Sequence, residues 1–172
     1  MGIPVTVRSS RYPPAVMSDG FLHLQRGGWW VIGQSLLLFA TAIGGITCRA
    51  SSKSLPIFIC GLVFLVVSAI CGFSGALALG RNLTPFPKPS ATAQFVQHGV
   101  YSLIRHPLYT SVFCAAAGWS LVWQSWSALI TSLALGAFFD AKARQEERWL
   151  RQKFPDYAGY ERRVRRFIPW IY

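Results

Sequence analysis

Three stretches of this chain, residues 27–48, 54–80 and 107–139, contain no Asp, Glu, Lys, Arg or His. Their lengths of 22, 27 and 33 residues leave few architectures open. About 20 apolar residues, each rising about 1.5 Å in a helix, cross the roughly 30 Å hydrocarbon core of a bilayer. The first two runs predict one span each. The third is long for one helix and short for two full ones, and predicts a tight helical hairpin. Its turn is expected at Gln124 and Ser125, between Trp119, Trp123 and Trp126, because aromatic side chains favour the membrane interface. The expected fold class is an all-α integral membrane protein of about four transmembrane helices, the last two a tight hairpin, followed by a basic cytoplasmic C-terminal segment. The expected spans are residues 27–48, 54–80, 107–123 and 126–145 of a single domain, 1–172.

Charge points the same way. Only 13% of residues are charged, where a soluble domain carries about 25%. Seventeen Lys and Arg against six Asp and Glu leave a formal charge of +11, which calls for an anionic partner, either nucleic acid or lipid headgroups. Charges segregated outside long apolar runs exclude the former and favour a bilayer with anionic headgroups. Cytoplasmic segments carry the basic excess. Arg8, Arg11 and Arg26 precede the first run, Arg81, Lys88 and Arg105 lie between the second and third, and nine more lie beyond residue 139. Only Arg49 and Lys53 occupy the first loop. Both termini are therefore expected in the cytoplasm, in a cell inner membrane, or in the endoplasmic reticulum of a eukaryote. In the N-terminal stretch Tyr12, Pro13 and Pro14 follow basic residues where a cleavable signal has an apolar core.

Cys48, Cys60, Cys71 and Cys114 all fall in apolar runs with no C-x-x-C pair, so they read as packing residues, with no metal site expected. No G-x-G-x-x-G opens a nucleotide-binding turn. Ser68, Gly72, Ala76 and Gly80 recur every four residues, a small-residue ribbon suited to close helix packing within the bundle.

The chemistry-bearing stretch runs from Gln94 to Tyr109. Pro107 suits the first position of a helix, where its missing N–H costs nothing. The N–H groups of the next turn, with Arg105 and His106 beside them, form an anion site at the membrane boundary. The plainer reading is that Arg105 and His106 reach headgroups while Tyr101 and Tyr109 belong to an aromatic belt. The fourth helix continues into Asp140, Lys142, Arg144, Glu146, Glu147, Arg148 and Arg151. The i, i+4 pairs Asp140–Arg144 and Glu147–Arg151 would keep it helical. Glu146 lacks such a partner and is either a solvated helix-end charge or an acid facing a cationic ligand near His106.

The run G-V-Y-S-L-I-R-H-P-L-Y from Gly99 to Tyr109, followed by Glu146, Glu147, Leu150, Phe154, Tyr157, Tyr160, Val164, Arg166, Phe167, Ile168 and Pro169, resembles the isoprenylcysteine carboxyl methyltransferase family and related membrane phospholipid methyltransferases. The resemblance covers roughly the last half of the chain, with Ser111 standing where many members have Gly. It implies S-adenosylmethionine held between the helices at the cytoplasmic side, in the region 94–169. Implied cofactor contacts are Gln94, Val96, Tyr101, His106, Pro107, Tyr109 and Glu146; implied catalytic residues are Arg105, His106 and Glu146. The basic tail would fold over the pocket as a lid, with Tyr160, Arg166 and Pro169 fixed in place. The implied acceptor is a lipophilic small molecule or a lipidated chain, with carboxylate O-methylation favoured. An ionised carboxylate needs no base, whereas an amine would require His106 or Glu146 as proton acceptor. Two alternatives stand beside this reading: an NADPH-dependent reductase related to the sterol reductases, and a non-enzymatic membrane protein.

Overall fold

The computed structural model describes residues 27–51, 54–90 and 92–172. The basic residues before position 27, the reading of Tyr12 to Pro14, and Lys53 lie outside the described residues. Among the described residues the helices are, in order, α1 Gly28–Thr47, α2 Leu55–Leu79, α3 Pro107–Trp123, α4 Trp126–Lys153 and α5 Tyr157–Arg163, with short 3-10 turns at Gly80–Asn82 and Gly99–Ser102. The described chain has no strand; one isolated parallel bridge joins Ile104 to Arg165.

The limits of α1 and α2 and the start of α3 fall within a residue of the charge-free runs, for local reasons, while α4 runs on past residue 139 to Lys153. Pro107 opens α3, and Pro56 lies in the first turn of α2. The hairpin turns at Gln124, which adopts a left-handed conformation (φ 51°, ψ 44°). Its amide side chain accepts from Ser54 N at 2.8 Å and donates to Ser54 O at 2.7 Å, which ties the turn to the start of α2. Ser125 then caps α4, its hydroxyl oxygen accepting from Ala128 N.

Side-chain size decides how the helices pair. α2 packs along α3 and α1 along α4. At the α2–α3 contact a Cβ on Gly61 would lie 2.8 Å from Val122 N, and one on Gly118 would lie 2.9 Å from Gly61 O, so only glycine permits this approach. Ser111 donates to Ser68 O at 2.8 Å, beside Gly72. The buried ribbon on α2 is thus Gly61, Ser68 and Gly75, with Gly72 beside it. Gly80 has left the helix with φ 51° and is exposed, because the chain turns there. Between α1 and α4, Thr41 donates to Thr131 Oγ1 at 2.9 Å.

The outer faces are apolar: Leu36, Phe39, Phe73 and Leu77 are each 64% to 72% exposed. Such contiguous apolar surface needs lipid around it. Two helical segments, Gly28–Thr47 and Leu55–Asn82, are long and apolar enough to cross a membrane. Beyond Phe139 α4 becomes charged. The chain then turns at Phe154 into α5, and the tail runs back beside the entry to α3, where Arg105 N donates to Arg165 O at 2.8 Å and His106 N to Arg166 O at 3.1 Å.

Candidate active site

The junction of α3, α4 and the returning tail gathers the buried ion pairs around Glu147. His106 is the N-cap of α3, and its side chain is 5% exposed. Nε2 lies 3.1 Å from Glu147 Oε1 and Nδ1 lies 3.9 Å from Glu146 Oε2, so the imidazole stands between two carboxylates. Its ring stacks on Tyr109 at 5.2 Å and 2°, and Tyr109 stacks on Phe139 at 5.1 Å and 5°. The Tyr109 hydroxyl donates to Glu146 Oε2 at 2.5 Å. Helix spacing explains the set: Glu146 projects from α4 toward the α3 turn that begins at Pro107.

Glu147 is the buried counter-charge of the junction. Arg105 Nη2 approaches it at 3.1 Å, and Arg166 donates from Nε and Nη2 at 3.0 and 2.8 Å. Its side chain is 1% exposed. Burial pushes its pKa up, but hydrogen bonds from His106 and Arg166, with the charges of His106 and Arg105, outweigh burial and hold the carboxyl at about 2. The expected Glu147–Arg151 pair is therefore corrected. Glu147 faces inward, and Arg151 instead binds Glu161 through two hydrogen bonds of 2.8 and 2.7 Å. The expected Asp140–Arg144 pair forms at 2.7 Å. Arg105 is committed to Glu147 and Glu161 and is not an open cation at the helix start. Glu146 has no such cluster; burial raises its pKa above the ordinary carboxylate value, opposed by His106, the Tyr109 hydroxyl and Lys142.

Gln94, Val96, Tyr101, Arg105, His106, Tyr109 and Glu146 all border one cavity of about 120 Å³. Pro107 does not; its ring packs toward Gly75 of α2, and its part is to start α3. Sequence reasoning missed Thr84, Phe86, Pro87, Pro89 and Ser90 on one side; on the other stand Phe95, inside the expected stretch from Gln94 to Val96, and Phe154 and Tyr157, which the family run contained without a cofactor contact. The missed Lys142 was visible as a charge one helical turn before Glu146, in a region where ionisable groups are costly.

A second cavity, about 730 Å³ and almost wholly apolar, lies between α2, α3 and α4 and is bordered by Phe64, Val67, Phe113, Phe139, Ile168 and Pro169, among others. Tyr109 borders both cavities. Of the residues the lid reading named, Tyr160 walls the first cavity and Arg166 is held by Glu147 and Asp140, whereas Pro169 borders the second cavity. Phe167 to Pro169 border the second, while the first is walled by residues 84–90 and by Tyr157 and Tyr160 of α5. Tyr160 anchors that wall by donating to Tyr101 O at 2.6 Å. Ser111, turned toward α2, borders neither. Among the described residues no group of three or more His, Cys, Asp or Glu is placed to hold a metal ion.

Residues 56–157 match the family described as phospholipid methyltransferase. The cobalt-zinc-cadmium resistance protein CzcN of Cupriavidus metallidurans is 36% identical over 154 residues, covering 88% of this chain and 67% of that protein. The nickel-cobalt-cadmium resistance protein NccN of Alcaligenes xylosoxydans xylosoxydans is 29% identical, covering 88% and 68%. The protein-S-isoprenylcysteine O-methyltransferase of Schizosaccharomyces pombe is 36% identical over 173 residues, covering 89% and 72%. The solved eukaryotic intramembrane Ras methyltransferase, an isoprenylcysteine carboxyl methyltransferase, shares the fold with a TM-score of 0.60 at 20% identity; 91% of this chain spans 55% of that one. The chain belongs to the phospholipid methyltransferase family, in the branch of membrane methyltransferases that contains the isoprenylcysteine carboxyl methyltransferases.

Proposed function

We propose that this chain is an integral membrane methyltransferase that binds S-adenosylmethionine in the polar cavity of His106 and Glu146 and methylates a lipid-like or prenylated acceptor, with a carboxylate the favoured methyl-accepting group. The observation that carries this reading is the shared wall. Tyr109 stands between a small polar cavity and a large apolar one, so a polar donor and a lipophilic acceptor would meet across a single ring.

The residues suit the cofactor. The Glu146 carboxylate is placed to accept from an ammonium group or ribose hydroxyls, and Phe95, Tyr101 and Tyr157 offer faces for the adenine. A cavity of about 120 Å³ is smaller than the roughly 300–1,000 Å³ of small-molecule pockets, so the whole molecule needs space beyond it. When bound, S-adenosylmethionine supplies an electrophilic methyl group on a good leaving group. What the chain contributes is orientation and exclusion of water. Glu147 fixes the His106 ring through Nε2, and Tyr109, held by His106, Phe139 and Glu146, separates the two compartments. An ionised carboxylate acceptor requires no base. The apolar walls suit a prenyl or acyl chain.

We place α1 to α4 as four spans of one membrane domain, the charged ends of α3 and α4 at the cytoplasmic side of an inner membrane and both termini in the cytoplasm. Exposed Arg148, Arg162, Arg163 and Arg165 at that end suit anionic headgroups. The test is a titration of the purified protein in nanodiscs with S-adenosylhomocysteine and, separately, NADPH. Methyl transfer from labelled S-adenosylmethionine to a farnesylcysteine carboxylate is then measured. Binding of the former and labelling of the acceptor are expected; NADPH binding alone would replace this reading with a reductase.

A further inference from the structure

The side chain of Lys142 is one of the largest fully buried groups among the described residues, and the chemistry above does not use it. Its ammonium donates to Gln34 Oε1 of α1 at 2.6 Å and to Pro85 O at 3.2 Å, and lies 5.0 Å from the Tyr109 ring centroid. A buried ammonium in a membrane domain is costly unless its partners are fixed, so these two acceptors offset the desolvation of the charge.

Pro85 begins the alternating run Pro85, Phe86, Pro87, Lys88, Pro89. Prolines at every second position lack N–H donors and hold the backbone extended. Residues 83–90 therefore form no helix or strand, and their carbonyls depend on outside donors. Two come from α4: Lys142 reaches Pro85 O, and Lys153, three helical turns further on, reaches Ser90 O. Thr84, Phe86, Pro87 and Pro89 of this strap wall the polar cavity, whose volume of about 120 Å³ is less than a whole cofactor needs.

We propose that Lys142 is a positioning residue that latches the strap Leu83–Ser90 closed over the polar cavity and so sets how fast a bound nucleoside leaves. This rests on the reading of that cavity as the cofactor site. The donor is central because it joins three bodies at once: α1 through Gln34, α4 through its own backbone, and the strap through Pro85. Lifting the strap breaks the Pro85 contact and leaves the ammonium on Gln34, so the opened state retains a partner for the charge.

The test uses the full chain in nanodiscs and two readouts, the rate of thiol labelling at a Pro87→Cys probe without ligand, the four native cysteines being replaced by Ala, and the dissociation rate of S-adenosylhomocysteine. Pro87 is fully buried, so the probe reacts when the strap lifts. Lys142→Met should speed labelling and speed release about tenfold or more, the scale of one lost hydrogen bond to a charged donor. Lys142→Arg should restore both toward wild type, and Gln34→Leu, which spares the Pro85 contact, should leave the probe protected. If Lys142→Met does not fold, Lys142→Gln carries the same comparison. Unchanged labelling and release in the folded variant overturn the latch. If the wild-type chain does not bind S-adenosylhomocysteine, the cofactor reading fails, while labelling in the ligand-free protein still decides the latch.

Discussion

Arg166 grips Glu147 through two hydrogen bonds, Nε to Oε1 at 3.0 Å and Nη2 to Oε2 at 2.8 Å. That fork draws the tail onto α4 and sets Arg166 and Arg105 around one carboxylate, to which the His106 ring is also hydrogen-bonded. Replacing Glu147 with Gln leaves these cations facing a neutral amide at a buried site, and breaking such a cluster costs about 3–5 kcal/mol. Thermal unfolding in detergent should register a large drop for Glu147→Gln and a far smaller one for Glu161→Gln, whose side chain is 23% exposed. Equal losses would show that Glu147 is not the centre of the junction.

The same carboxylate sets an acid limit. Its folded pKa, about 2, lies below the ordinary 4.5, so the stabilisation it brings is complete above about pH 4.5 and is lost as pH falls toward 2. The shift corresponds to about 3 kcal/mol. Stability measured across that window should decline in the wild-type protein and decline less steeply in Glu147→Gln. A parallel decline in both would assign the acid sensitivity to other groups.

His106→Ala and Glu146→Ala should each weaken S-adenosylhomocysteine binding without unfolding the chain. One lost contact to a charged group costs about 1.5–3 kcal/mol, or roughly ten- to a hundredfold in affinity. Because burial raises the Glu146 pKa, binding should strengthen as pH rises through it, and Glu146→Gln should flatten that dependence. Wild-type affinity in both alanine variants, read by calorimetry, would return these residues to a purely structural role.

Gly136→Ala probes the apolar cavity. A Cβ there would lie 2.8 Å from the Phe113 ring, which lines that cavity, so the ring must shift. A packing cost of about 1 kcal/mol corresponds to roughly fivefold in the KM for a prenylated acceptor. The affinity for S-adenosylhomocysteine should not change, since neither residue borders the polar cavity. An unchanged acceptor KM would place the lipid chain elsewhere.

A reporter that fluoresces only in the cytoplasm, fused after Tyr172, should be bright, and alkaline phosphatase inserted at the Gln124 turn should be active outside. The opposite pair of signals would reverse the assigned orientation.

Much of this fold is local in origin and was legible in the residue order. Charge-free lengths marked the helices, Pro107 marked the start of α3, and the turn fell at Gln124 and Ser125, because each depends on hydropathy or backbone chemistry within a few residues. The stretch from Gln94 to Tyr109 and the acid at Glu146 could be named as candidate site residues from their types and from a family resemblance, and most of those named border one cavity. What the residue order did not settle is which charge meets which. Counting i, i+4 assigned Glu147 to Arg151, since that rule sees only neighbours on one helix surface. In the folded chain Glu147 points inward, and a buried carboxylate is stable only beside the cations and donors that tertiary packing delivers, here Arg105 and the His106 ring from the entry to α3 and Arg166 from the tail. The strap held by Lys142 and the passage of the tail beside the apolar cavity have the same cause. Their partners lie 19 to 63 residues apart in sequence, and only the packing of the helices brings them within hydrogen-bonding reach.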